Sequence, residues 1–477
     1  MTDPLALLPL ALAAGGGTVD GRPAPQLVAA GLTLLQRSAP LVRALQRKRS
    51  AILIPTSSPF LTALAASDGR SAVLINPLAA PAEIEAQCAD ANVGAAFTVR
   101  ALAGRLPPAL PCVLLDDAPT TAVYSHEGIE SVIDLGSHFP LAIEGERDVP
   151  GRDEEAAIVY TSAMAGRALG AILTHRNLLA NARQTVEAAA YTADDHVLAV
   201  IPFSHLFGLT VTLSAPLVAG ARVTTMDRFN PFKAIEAMES AGVTTFVGVP
   251  AVFAGMLAAL ERKGGRLESP SLRLCICGGA VLPVALQDRW AEATGVELRQ
   301  GYGLTETAPV CLFNRVSLPN RRGTLGVPFP GCEVTVRDPV TSTALSPETE
   351  GEICVRGETV SPGYVSDSAR GLQTRDGWFH SGDLGIAHAD GTVSFTGLHK
   401  PMFTRNGFNV YPAEIERVVA ELDGVWQVRC YAIPEPSREN DVGLEIVGTV
   451  TAEAVKAWCE TRLSAYKQPS TIDVRAE

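Results

Sequence analysis

A basic surplus is the first thing this sequence lacks. Of its 477 residues, 39 are Lys or Arg and 51 are Asp or Glu, which leaves a formal net charge of −12. An electrostatic footprint for nucleic acid is therefore excluded, and any phosphate the protein binds has to be held by a local site. Charged residues amount to only 19% against 47% hydrophobic ones, which excludes an intrinsically disordered chain. Long apolar runs are missing too: nothing approaches the roughly 18 residues of a membrane span, so no transmembrane segment is expected. The stretch 5–14 has the length of a signal-peptide core, but Thr2-Asp3-Pro4 before it is acidic rather than basic and Pro9 interrupts it. It reads as an N-terminal helix. No CxxC pair occurs among the nine cysteines, and only Cys275 and Cys277 lie close together, in an apolar run where alternate residues share one face of a strand. They read as buried small hydrophobes rather than metal ligands, and the set implies a reduced, cytoplasmic protein.

What is present is a pattern of alternation. At about 150 residues per domain the length implies roughly three structural units. From about residue 51, short β-branched runs alternate with longer helical patterns, as in a parallel sheet with crossover helices. The spacing predicts strands over 50–55, 71–76, 244–249, 272–277 and 296–300. Helices are predicted over 57–66, 81–91, 251–262 and 283–294, with Pro250 opening the third because proline is tolerated at the first helical position. Over 323–397 the texture changes to short alternating runs separated by Gly, Pro and Asp, which reads as antiparallel β. After Lys400 a small α+β segment is expected, with helices over 412–422 and 452–466 and strands over 427–433 and 444–450.

Four stretches put glycine and polar residues where a plain fold has no need of them. Tyr160-Thr161-Ser162 through Gly166-Arg167-Ala168-Leu169-Gly170 is a small-residue loop after a strand, able to turn N–H groups and hydroxyls toward a phosphate. Gln300-Gly301-Tyr302-Gly303-Leu304-Thr305-Glu306-Thr307 stands at the carboxyl end of a predicted strand, where ligands bind in open α/β sheets. Gly377 through Gly385 reads as a turn that presents Asp383. Gly397-Leu398-His399-Lys400-Pro401 stands at the expected boundary, followed by Asn406-Gly407 and Tyr411-Pro412-Ala413-Glu414.

Taken in order, these stretches resemble one family, the adenylate-forming enzymes that include acyl-CoA synthetases, luciferases and peptide-synthetase adenylation domains. The resemblance extends to Pro202-Phe203-Ser204-His205-Leu206-Phe207-Gly208-Leu209, Cys277-Gly278-Gly279-Ala280, Gly351-Glu352-Ile353-Cys354-Val355-Arg356-Gly357 and Gly363-Tyr364, and so covers nearly the whole chain. It implies an α/β fold: a large AMP-binding N-terminal domain over 1–397 with α/β sheet subdomains and a β-rich subdomain over about 323–397, a hinge near 398–401, and a small mobile α+β cap over 401–477. The activity implied is AMP-forming ligation of a fatty or aryl carboxylic acid to a thiol. The acid first forms an acyl-adenylate at the expense of ATP with Mg²⁺, and CoA or a carrier-protein thiol then displaces AMP. By the same resemblance Gly278, Gly279, Ala280, Tyr302 and Gly303 belong to the nucleotide pocket, and Asp383 accepts from the ribose. Thr161, Ser162, Gly166 and Arg167 form the phosphate loop, Thr305 contacts phosphate and Glu306 holds Mg²⁺. His205 borders the acyl pocket, formed by residues near 202–209, 247–253 and 278–305. Lys400 matches the hinge, and Gly407 the glycine beside the pantetheine channel.

The sequence also departs from that family. Its phosphate loop lacks the two threonines and the lysine of Ser-Gly-Thr-Thr-Gly-x-Pro-Lys-Gly, Leu398 replaces an arginine that reaches the ribose, and Tyr466-Lys467-Gln468-Pro469 is not followed, up to Glu477, by the segment that carries the last catalytic lysine. One lost charge-stabilising donor is worth about 3–4 kcal/mol, so slowed adenylation is expected unless Arg167 substitutes. Two alternatives stay open: a protein that binds AMP or acyl-adenylate without turnover, and one that performs the thioester-forming half-reaction alone.

Overall fold

A computed structural model describes residues 7–46, 48–67, 71–135, 151–161, 168–365, 374–398 and 402–475. Two nine-stranded sheets form its body. In one, Thr18–Val19, Arg222–Thr225, His196–Ala199, Thr245–Gly248, Leu274–Cys277 and Leu298–Gly303 run parallel, and Val310–Phe313 and Val327–Pro328 extend the edge antiparallel. In the other, Glu155–Thr161, Ala72–Leu74, Arg49–Leu53, Val93–Thr98 and Cys112–Leu114 are parallel. Strands buried on both faces need near-continuous apolar runs, and Leu274-Cys275-Ile276-Cys277 is buried at every position. All nine cysteines are free and buried.

Local chemistry sets the helices. Pro250 starts the helix Pro250–Lys263, and Gly264, at φ +116°, ends it after Arg262 and Lys263, cations that suit a helix C-terminus. Its Phe253 packs edge-on against Phe246 and Trp290 at centroid distances of 5.4 and 4.8 Å, the aromatic centre of one core. The helix His175–Ala189 begins in a reciprocal cap: Asn177 N–H donates to Thr174 Oγ1 (3.1 Å) and Thr174 N–H to Asn177 Oδ1 (2.9 Å). Asn177 Nδ2 also donates to the Glu358 and Val360 carbonyls, and Asn181 Nδ2 to the Val310 carbonyl, so polar side chains of this helix fasten both a sheet edge and the β-rich region.

A third sheet is antiparallel, with Cys332–Arg337, Glu350–Gly357, Trp378–Ala387 and Val393–Leu398 among its strands. Beyond it lie the hairpin Phe403–Arg405/Phe408–Val410 and a three-stranded sheet, Val425–Glu435, Glu439–Gly448 and Thr471–Arg475. The helices Pro412–Ala420 and Ala452–Arg462 share with that sheet a core that includes Ile415, Val419, Leu444, Ile446 and Val455. This lobe touches the body through an ion triad whose Lys467 and Glu414 are buried and whose Glu83 is half-buried: Lys467 Nζ donates to Glu83 Oε1 (2.7 Å) and Glu414 Oε1 (2.8 Å), and Ser464 Oγ donates to Glu83.

Several expectations need correction. The strand expected over 296–300 continues through Gly303, because Gly301-Tyr302-Gly303 pair with Val310–Phe313. Asp383 stands inside the strand Trp378–Ala387 rather than on a turn, and the helix expected to reach residue 466 stops at Arg462. The strands Thr121–His126, Ile129–Asp134 and Thr471–Arg475 have no counterpart in the sequence reading.

Candidate active site

One cavity of about 870 Å³ opens where the sheets of the body meet the C-terminal lobe. Two parallel strands reach it with their carboxyl ends, as an open α/β sheet requires: Leu274–Cys277 leads into Gly278, Gly279 and Ala280, and Leu298–Gly303 into Thr305 and Glu306. Thr161 comes from the second sheet, Asp383 and Leu398 from the β-rich one, and Gly407 from the C-terminal hairpin. His205 and Tyr302 complete the set, so Thr161, His205, Gly278, Gly279, Ala280, Tyr302, Gly303, Thr305, Glu306, Asp383 and Gly407 all line this one space. Ser162, Gly166, Arg167 and Lys400 lie outside the described residues.

Two carboxylates stand deep in the lining, each held by a phenol. Tyr302 Oη donates to Asp383 Oδ2 at 2.6 Å. Burial pushes the Asp383 carboxyl up to about 6, the Tyr302 bond opposes this, and the charges of Glu306 and Glu352 add to it. Glu306 is buried and accepts from Tyr364 Oη at 2.7 Å; burial raises its titration as well. Both phenols stay protonated, because burial and the neighbouring carboxylates raise them. His205 is the opposite case, since burial lowers its imidazolium to about 4 and leaves it neutral at physiological pH. Its Nδ1 accepts the Phe207 N–H at 3.2 Å, so the neutral ring carries its proton on Nε2.

Two glycines have physical work in this wall. Gly303 allows the strand to approach its own neighbour, since a methyl there would overlap the Pro309 carbonyl oxygen. Gly407 holds φ +76°, and a Cβ on it would stand 2.6 Å from a Val249 methyl, so the hairpin tip is seated against the strand–helix junction of the body.

The lining also includes Thr185, Ala189, Val211, Ile276, Phe313 and Phe329, and all of these but Thr185 share an apolar cluster with Phe207. Residues 247–253 do not line the cavity, contrary to expectation: Phe253 is consumed by the core with Trp290, and Val249 meets Gly407. Sequence reasoning missed Phe313 and Phe329, which the antiparallel edge delivers, and Tyr364 as the partner of Glu306. It also missed Ser204, whose buried Oγ has no hydrogen-bond partner among the described residues. Among the described lining residues the carboxylates are Glu83, Asp90, Glu306, Asp383, Glu414 and Glu439, against the cations Arg417 and Lys467. Lys467 is held by Glu83 and Glu414, and Arg417 pairs with Glu421.

Residues 39–365 match the family described as AMP-binding enzyme. A feruloyl-CoA synthase from an Amycolatopsis species is 31% identical over 411 residues, which cover 82% of this chain and 82% of the relative. A long-chain-fatty-acid–CoA ligase from Bacillus subtilis (strain 168) is 29% identical over 345 residues, 70% of this chain but only 60% of that ligase. Among solved structures, o-succinylbenzoate-CoA synthetase from Bacillus subtilis superposes with a TM-score of 0.82 at 21% identity, covering 100% of this chain and 96% of that one. A malonyl-CoA ligase with methylmalonyl-CoA and AMP bound gives 0.81 at 24% identity, covering 100% and 99%. The chain belongs to the AMP-binding enzyme family, and its relatives by sequence are acyl-CoA ligases.

Proposed function

We propose that the chain is an AMP-forming acid–thiol ligase that works on a fatty or aryl acid in the reducing cytoplasm. A carboxylate oxygen of the acid attacks the α-phosphorus of ATP, the bond to pyrophosphate breaks, and the acyl-adenylate is then cleaved by the CoA sulfur, which loses its proton to solvent as AMP departs. The observation that carries this reading is the convergence of Asp383, Tyr302, Thr305, Glu306, His205 and Gly407 on one cavity. In it Gly278, Gly279, Ala280 and Tyr302 border the adenine, Asp383 accepts from the ribose hydroxyls, Thr305 meets phosphate and the tip at Gly407 borders the thiol's approach. The apolar stretch of the lining that includes Phe313 and Phe329 suits an acyl chain or an aryl ring. A carrier-protein thiol is the other acceptor of the same chemistry.

Six carboxylates against two cations make the described lining a poor host for a bare triphosphate. Glu306 suits Mg²⁺, since a buried carboxylate pushed toward its neutral form regains its charge beside a hard cation that prefers oxygen. Bound there, Mg²⁺ would supply neutralisation of phosphate charge. Pyrophosphate release measured over a panel of fatty and aryl acids with ATP, Mg²⁺ and CoA tests the reading, and silence with every acid rejects it. One observation favours a second reading, the thioester-forming half-reaction alone: both cations of the described lining are already paired, so neutralising phosphate falls to Arg167 or to Mg²⁺. Synthetic acyl-adenylate with CoA separates the two, since this second reading yields thioester from it but no pyrophosphate from ATP.

A further inference from the structure

We propose that Glu352 is a positioning residue of the nucleotide site and acts through Asp383; this rests on the reading of Asp383 as the ribose acceptor. The strands Glu350–Gly357 and Trp378–Ala387 pair with Glu352 opposite Leu384 and Cys354 opposite His380. Between those two pairs the first strand has one residue, Ile353, and the second has three, Ser381, Gly382 and Asp383. The surplus is a bulge, which re-aims a side chain but leaves backbone groups without a ladder partner. Asp383 is the side chain it re-aims, toward Tyr302 and the cavity.

Glu352 supplies what the bulge removes. Its Oε1 accepts the Gly382 N–H at 2.8 Å, one residue before Asp383, and its Oε2 is bonded to His380 Nδ1 at 2.7 Å. His380 Nε2 meets Ser342 Oγ at 3.0 Å, and Cys354 Sγ lies 3.4 Å from Nδ1. Ser342, Glu352, Cys354 and His380 are all buried, so this chain of bonds has no competition from bulk water. Within the bulge Ser381 Oγ accepts the Asp383 N–H at 3.0 Å. The backbone that carries the acceptor is thus held at two successive N–H groups, and the stronger hold is the charge-assisted one. Glu352 itself does not line the cavity, so its influence on a nucleotide has to pass through the turn it holds.

The test is calorimetric titration of the full-length protein and of its Glu352→Ala and Glu352→Gln variants with AMP and with 2′,3′-dideoxy-AMP, folding being checked by circular dichroism. Glu352→Ala is expected to weaken AMP by about 10- to 100-fold and the dideoxy nucleotide by less than about twofold, since only AMP offers the hydroxyls that Asp383 accepts. Glu352→Gln keeps the shape and one acceptor but loses the charge, so an AMP-selective loss of roughly 3- to 10-fold is expected; this variant decides the matter if the alanine variant does not fold. Equal losses on the two nucleotides, or none on AMP, overturn the proposal. If the unaltered protein binds both nucleotides equally well, the fault lies instead with the ribose assignment of Asp383.

Discussion

Replacing Asp383 by Asn should stabilise the free protein while it damages the site. The carboxyl titrates at about 6 in the folded chain against an ordinary 3.8, and burial is the main cause. The folded state therefore keeps this proton up to about pH 6, whereas the unfolded chain releases it near 3.8. The contribution to stability is most favourable below the lower value and is lost as pH rises through the upper one. At about 1.4 kcal/mol per pH unit, the folded protein carries an upper limit of about 3 kcal/mol of unfavourable free energy at pH 7.5, and about half of that at pH 5. Asparagine has no charge to desolvate, and its Oδ1 can still accept from Tyr302, although its amide brings a donor that needs a partner. The net gain expected at pH 7.5 is therefore about 1–3 kcal/mol, shrinking toward pH 5. Urea unfolding of both proteins at the two pH values measures it, and on the proposed reading of Asp383 as the ribose acceptor, AMP binding measured alongside should weaken by about tenfold or more. An Asn variant that is less stable at pH 7.5, or a difference that does not change with pH, would show that the carboxylate is not held against its own solvation.

Lys467→Met removes the ammonium between Glu83 and Glu414 and leaves a half-buried and a buried carboxylate without their shared cation. About 3–5 kcal/mol should be lost in urea unfolding, with part recovered in the double variant carrying Glu83→Gln; a loss below about 1 kcal/mol refutes the triad as the lobe's attachment. Gly407→Ala puts a methyl at φ +76° against Val249, 2.6 Å away. Thioester formation from acyl-adenylate should fall by about tenfold or more and pyrophosphate release by less, whereas equal losses would deny the hairpin tip a special place in the second step. His205, lowered to about 4 by burial, should titrate near that value by nuclear magnetic resonance, and its share of stability should be intact above its ordinary 6.5 and lost as pH falls toward 4. A midpoint near 6.5 would mean that water reaches the ring.

How far the sequence disclosed this arrangement depends on the range of the interaction that fixes each part. Helix starts such as Pro250 and stops such as Gly264 are local facts of φ and hydrogen-bond supply, so they could be read within a residue or two. Contiguous motifs such as Gly278-Gly279-Ala280 and Gly301 through Glu306 were legible for the same reason, and they do share one cavity. Asp383 shows where local reading ends. Flanking glycines make Ser381-Gly382-Asp383 look like a turn, but the same residues form a strand bulge once Glu350–Gly357 lies beside them, and the group that caps the bulge stands 30 residues away in sequence. Phe313 and Phe329 reach the cavity only because Val310–Phe313 folds back along Leu298–Gly303, a pairing that no periodicity announces. The Glu83–Lys467 pair spans a sequence separation of 384 and joins a helix residue to one in a short turn, a pairing that no local pattern announces. In each case the chemistry resides in a partner rather than a residue, so side chains that pair across sheets and lobes, such as Glu352 with Gly382, are where structure adds most to what the motifs already say.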